Sequence, residues 1–206
     1  MNAPLTIHTG SRRRTTPEQP FLSELTLTRA RVHEFCGPAR RTLALMLAAK
    51  MAGPVFWILP AWTAERMNAD GMQPFIDPAR CVFITPQRAE DVLWSMEEAL
   101  RGGIVPLVIA DIPSPPALTP VRRLHLAAET GMSESGKAPL GVLLTGDPRG
   151  SAGVESRWRL DGAHGPDEAA WTLTRQRART AAPKTWKVKP GQSGFTLDAQ
   201  PDPVTA

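Results

Sequence analysis

The sequence contains no apolar run near the roughly 18–20 residues that a membrane-crossing helix needs. It has only two cysteines, Cys36 and Cys81, in 206 residues. The first absence excludes a helical membrane protein. The second excludes a disulfide-stapled fold, and no second pair at metal-ligand spacing joins His33 and Cys36 to make a metal site. Both cysteines sit beside aromatic or apolar residues and read as packing groups in a reducing compartment. The opening MNAPLTIHTGSRRR has no apolar stretch between its start and its basic cluster, so neither export nor membrane insertion is expected and the location reads as cytoplasmic.

Catalytic signatures are missing too. There is no G-x-S-x-G elbow for a serine nucleophile, and the four histidines, His8, His33, His125 and His164, are scattered without a carboxylate or nucleophile at telling spacing. Glu97 and Glu98, beside Trp94, read as a solvated helix flank. The expectation is no catalytic residue, no metal and no cofactor.

What is present is enough apolar sequence, 42% of residues, for one sizeable core. Residues 1–22 mix Pro, Thr, Ser and Arg without periodicity and read as a poorly ordered lead-in. Regular patterning begins near Arg31. RVHEF (31–35) is a short strand running into Gly37-Pro38, and ARRTLALMLAAKM (39–51) is a helix. PVFWILP (54–60), CVFIT (81–85), PLVIAD (106–111) and PLGVLLTG (139–146) are continuous apolar runs, as strands buried on both faces require. Between them, residues 87–103 and 118–131 carry helical stripes, the first stopped by Gly102-Gly103 and the second entered through Thr119-Pro120. This alternation predicts an α/β fold, a mostly parallel sheet with helices on both faces. After residue 150 the runs 156–160, 169–179 and 185–189 alternate with no helix between them, which predicts antiparallel strands at the C-terminal edge. Domain limits follow: lead-in 1–22, α/β domain 23–190 and flexible tail 191–206.

Gly37 to Thr42 is the one turn placed like a phosphate-binding loop, after a strand and before a helix. Such a loop needs G-x-x-x-x-G-K-[ST] so that backbone N–H groups can curl around the phosphates. Here the first glycine and Thr42 are five positions apart, where the motif has seven, and both the second glycine and the lysine are absent. Arg40 and Arg41 are the only cations at the turn, and we expect it to be degenerate, with no working ATP site. Gly131 to Lys137 does match G-x-x-x-x-G-K, but it lies between a helix and a strand, and Ala138 stands where the metal-holding hydroxyl belongs. It reads as a solvated loop. Asp111 ends an apolar strand where a magnesium-holding acid sits in a nucleotide hydrolase. It reads as a strand-end cap or a relic.

Residues 171–189 hold Arg175, Arg177, Arg179, Lys184, Lys187 and Lys189 without one acidic residue. Interleaved with Trp171 and Trp186, these cations are the candidate surface for a partner or for DNA, through phosphate contact and base stacking. The plain alternative is an edge hairpin with charges on its wet face.

The run Asp91-Val-Leu-Trp-Ser-Met-Glu-Glu-Ala-Leu-Arg-Gly-Gly103 is followed by an apolar strand and by Arg122-Arg-Leu-His-Leu-Ala-Ala-Glu-Thr-Gly131. Together with Ser156-Arg-Trp-Arg-Leu160 and the basic segment from Arg175 to Lys189, it resembles the ImuA family, RecA-like accessory proteins of bacterial damage-induced mutagenesis. The resemblance spans roughly residues 31–190. It implies a RecA-like core without a working Walker motif. It also implies a non-catalytic adaptor role in the SOS response, supporting error-prone translesion synthesis. The implied partners are an ImuB-like Y-family polymerase homologue, the RecA recombinase and an error-prone DNA polymerase assembly, with DNA as a further candidate. Two rival readings stand beside it: a weak ATP-binding NTPase that uses Arg40 or Arg41 for the lost lysine, and a division inhibitor of SulA type.

Overall fold

The computed structural model describes residues 17–146, 149–166, 168–192 and 194–200. The described residues begin with a two-stranded ribbon, β1 (Glu18–Leu22) and β2 (Leu25–Thr28), turned through Ser23 at φ 47°. Then come β3 (Val32–Cys36), α1 (Arg40–Ala49) and β4 (Val55–Ile58). A short helix α2 (Ala69–Met72) and a 3-10 turn (Pro78–Arg80) lead to β5 (Cys81–Ile84). Next are α3 (Ala89–Gly102), β6 (Leu107–Ile112), α4 (Leu118–Ser135) and β7 (Leu140–Thr145). Four consecutive strands follow: β8 (Ser156–Gly162), β9 (Trp171–Ala178), β10 (Lys184–Gly191) and β11 (Gly194–Ala199).

Nine of these strands form one sheet in the order β11-β10-β9-β8-β3-β7-β6-β4-β5. Pairing from β8 to β5 is parallel, and from β8 to β11 it is antiparallel. The sheet is therefore mixed, and the expected mostly parallel, RecA-like sheet with helices on both faces is corrected in two respects. First, β9, β10 and β11 follow β8 with no crossover helix, and strands joined by hairpins can only pair antiparallel. Secondly, one face is covered by the paired helices α3 and α4, whereas the other has the ten-residue α1 and, beyond it, the β1–β2 ribbon.

The ribbon also corrects the boundaries. Phe21 and Leu22 are fully buried, so the expected lead-in is part of the fold from Glu18 onward. At the other end β11 pairs with β10 inside the expected tail. Residues 1–16 and 201–206 lie outside the described residues, with His8 and Arg12 to Arg14 among them.

Packing explains several local choices. α3 stops at Gly103 and α4 at Gly136, both in the left-handed region (φ 63° and 70°) that glycine enters without a Cβ penalty. Gly131 lies inside α4 rather than in a loop, and a Cβ there would run into the Leu100 carbonyl of α3. The motif-like Gly131 to Lys137 segment is thus the place where two helices touch backbone to backbone. Glu97 is buried and ion-paired with Arg101 and, at 2.7 Å, with Arg123, which corrects its reading as a solvated flank. CVFIT was expected to be a strand buried on both faces. As β5 it is the sheet edge, with Val82 and Phe83 exposed, because among the described residues no strand pairs beyond it.

Candidate functional site

The strand–turn–helix at Gly37 sits where β3 has parallel neighbours on both sides, β7 and β8. In open α/β sheets ligands bind beyond the C-terminal ends of such strands. Here β8 occupies that space. Gly37 is held at φ 89°, and a Cβ on it would lie 2.6 Å from the Leu160 carbonyl oxygen. The Ala39 amide donates to that same oxygen at 3.1 Å, the Arg40 amide turns back to the Gly37 carbonyl at 3.3 Å, and Pro38 has no amide to offer. Amides that would face a phosphate in an open loop are spent on protein oxygens.

The charges at the turn are spent in the same way. Arg41 Nε donates to Asp111 Oδ2 at 2.6 Å, and its Nη1 donates to Glu65 Oε2 at 2.9 Å. Arg40 Nε lies 3.8 Å from Asp111 Oδ1. Asp111, at the end of β6, is buried. It serves as the shared counter-ion of two arginines, beyond the strand-end cap that the sequence suggests. For Arg41 to take the place of a phosphate-binding lysine it would have to leave two carboxylates, one of them buried, and abandoning a buried carboxylate is costly. Thr42 follows on α1 and is half-buried.

Two polar clusters near this turn were not visible in the sequence. Glu34 on β3 is fully buried; Thr145 Oγ1 donates to its Oε1, the Ser151 amide donates to its Oε2 at 2.8 Å, and Arg157 Nε lies 3.6 Å away. On the opposite face His33 accepts the Ser156 hydroxyl at Nδ1 (2.6 Å) and donates from Nε2 to the Thr28 carbonyl (2.9 Å), since a carbonyl can only accept. Burial pushes the His33 pKa down to about 4, so the ring is neutral at pH 7. A serine hydroxyl on an imidazole is the elementary unit of nucleophilic catalysis. Here the same oxygen also accepts the Trp158 indole N–H at 2.7 Å and Ser156 is only 4% exposed, so the trio works as a clamp joining β2, β3 and β8. The only sequence signal for either cluster is a histidine and an acid side by side in the strand VHEFC.

The basic segment is brought together, but not as the sequence suggests. Trp171 and Trp186 are core residues with Trp158, which stacks on Trp186 at 5.9 Å, so neither is available to stack on a base. Arg175 lies over the Trp158 and Trp186 rings at 5.6 and 5.2 Å and donates to the Ala182 carbonyl, and Lys184 lies 5.5 Å from Trp186. Lys187 and Lys189 meet Glu168 from the preceding turn, and Arg179 meets Glu155. Arg177 donates to the Val154 carbonyl at 3.2 Å. The stretch unopposed in sequence is thus partly neutralised in space by acids from neighbouring segments. The residues that still present charge to solvent are Arg177, Arg179 and Lys184, all exposed.

Cys36 is buried and Cys81 half-buried, both as free thiols, and burial raises both pKa values. Among the described residues no group of histidine, cysteine and carboxylate side chains is placed to hold a metal ion, and no helix is long and apolar enough to cross a membrane. No family model and no curated protein matches the chain.

Proposed function

We propose that the chain is a cytoplasmic, non-catalytic adaptor of the bacterial DNA-damage response. In this reading it supports error-prone translesion synthesis by contact with an ImuB-type polymerase homologue, the RecA recombinase and the polymerase assembly around them. The observation that carries the non-catalytic part is the closed turn: the Leu160 carbonyl against Gly37, with Arg41 bound to Asp111 and Glu65. The family resemblance of residues 31–190 supplies the biological setting, and the exposed cations Arg177, Arg179 and Lys184 supply the partner surface. Base stacking has no part in that contact, because Trp171 and Trp186 are packed inside.

The test has two arms. Binding of the cognate ImuB-type homologue to the wild type should fall at least about tenfold in the Arg177→Glu, Arg179→Glu, Lys184→Glu triple variant, as charge reversal at a docking face requires. Unchanged binding removes that surface, and no binding by the wild type removes the partner. Isothermal calorimetry with ATP and ADP should show no heat of binding. Nucleotide binding that disappears in Arg41→Ala would instead establish the weak-NTPase reading.

A further inference from the structure

The outer side of α4 carries Leu118, Arg122 and Leu126 at positions i, i+4 and i+8, which places them in one row along the helix. Leu118 is 38% exposed and Leu126 62% exposed. Single exposed leucines are ordinary on a protein surface. Here both border one groove of about 440 Å³, whose other walls come from Arg31 at the start of β3, Glu129 on α4, Gly153 in the loop before β8, and Arg179 after β9. The walls are fixed. His125 Nδ1 accepts the Val32 amide at 3.3 Å, which leaves the proton on Nε2 to donate to the Gly153 carbonyl at 3.1 Å. Gly153 adopts φ 84°, and a Cβ on it would lie 2.5 Å from Leu118 Cδ1, so the loop approaches the leucine as closely as a glycine allows.

The charge of this groove is one-sided. Arg31 ion-pairs with Glu129 and, at 3.7 Å, with Glu155, which Arg179 also meets at 3.4 Å. Arg122 is exposed, with no ion pair among the described residues. Three arginines against Glu129 and the adjoining Glu155 leave one net positive charge, carried by Arg122, beside two leucines about 12 Å apart along the helix axis. That is the span of two helical turns, the repeat on which an amphipathic helix offers its own apolar residues to a groove. We infer that this groove docks an acidic amphipathic helix of a partner protein, its apolar stripe on Leu118 and Leu126 and its carboxylates toward Arg122 and Arg179. Nucleic acid fits less well, because the two leucines and Glu129 would face phosphates without gain. This groove is separate from the closed turn and shares Arg179 alone with the cations proposed above as the partner surface, so Arg122→Glu and Leu126→Asp test it apart from that surface.

The test is selection of a phage-displayed library of random 16-residue peptides on the whole chain. Enriched sequences should carry leucine-type residues at i, i+4 or i+7 spacing flanked by Asp or Glu. Synthetic copies should bind the wild type and lose at least about tenfold in affinity on Arg122→Glu and on Leu126→Asp. Both residues are exposed, so circular dichroism and the thermal midpoint should stay at wild-type values, and a variant that melts early is replaced by Leu126→Gln. No enrichment, basic consensus sequences, or peptides that bind both variants as well as the wild type would overturn the inference. So would a wild-type dimer in sedimentation that Leu126→Asp abolishes, which would give the groove to a second copy, or DNA binding that Arg122→Glu abolishes.

Discussion

One face of the sheet is covered by helices alone and the other by α1 together with the β1–β2 ribbon, and the interface under the ribbon differs from those under helices. Over β3, β4, β6 and β7 lie α3 and α4, helices that satisfy their own backbones and need from the sheet only an apolar surface: Val92, Met96 and Leu100 from one, Val121, Leu124 and Ala128 from the other. Over β8, β9 and β10 lies the two-stranded ribbon, whose outward peptide groups have no ladder of their own. Backbone groups left over in this way must find partners elsewhere. They find them in side chains: the Thr28 carbonyl accepts from His33 and the Pro20 carbonyl from Gln19, which also ties the ribbon to the Lys50 carbonyl at the end of α1, while the Ser156 hydroxyl of β8 links His33 and Trp158. The helix-covered interface is thus mainly apolar and shape-dependent, with its polar groups gathered at Glu34 and Glu97, while the ribbon-covered one is aromatic and hydrogen-bonded throughout.

The sharpest way to break this comparison is at Trp158. It is 2% exposed, packs edge-on against Phe21 at 5.5 Å, stacks on Trp186 and lies beneath Arg175. Trp158→Ala should cost about 3–5 kcal/mol in urea unfolding followed by far-ultraviolet circular dichroism. Trp94→Ala on α3, where the ring is 58% exposed, should change stability by less than about 0.5 kcal/mol. Equal costs at the two sites would mean that the ribbon does not hold the antiparallel half.

A somewhat smaller effect is expected from acid. His33 has an ordinary pKa of 6.5 in the unfolded chain and about 4 in the folded one, lowered chiefly by burial. Between those values the unfolded chain binds the extra proton, so stability falls as pH drops from about 6.5 to 4 and this contribution is flat below that. The loss should be about 3 kcal/mol across the window. His33→Gln should remove most of this slope whatever its cost at pH 7; His125, also lowered by burial, keeps a remainder. The same slope in wild type and variant would show that the ribbon clamp is not the acid-sensitive element.

The difference between the two faces also explains what the sequence discloses. Elements with their own periodicity could be read directly: Arg40–Ala49, Ala89–Gly102 and the apolar strands from Val55 to Thr145 lie where their patterns put them. The ribbon could not, because EQPFL and LTLT are short, contain a proline and take their meaning from Trp158 and Phe35, which lie far along the chain. The sheet edge is hidden from the sequence for a related reason. CVFIT is as apolar as a central strand, and only strand order, set by long-range pairing, places it outermost. At the Gly37 turn, residue spacing disclosed the missing glycine and lysine. The plug itself comes from Leu160, 123 positions later, and no local pattern in the chain could announce it. Likewise the acids that oppose the basic segment lie outside it: Glu168 in the turn before β9, and Glu155 farther back, just ahead of β8.

The smallest effect concerns the helix-covered face, where close approach replaces hydrogen bonding. Gly131 on α4 faces the Leu100 carbonyl and the Gly103 backbone, so a single methyl has no room unless α3 and α4 separate. Gly131→Ala should cost about 1–3 kcal/mol despite the better helix propensity of alanine. Gly102, at the end of α3 with nothing within 4 Å of an added Cβ, is the matched control. There Gly102→Ala should be neutral or stabilise by up to about 1 kcal/mol, since alanine restricts the unfolded chain without meeting anything in the folded one. Denaturant melts of the two variants decide whether the helix cover depends on shape in the way that the ribbon cover depends on polar partners. If Gly131→Ala behaves like Gly102→Ala, the helices have slack at their crossing, and the contrast between the two faces reduces to the hydrogen bonds of His33 and Trp158.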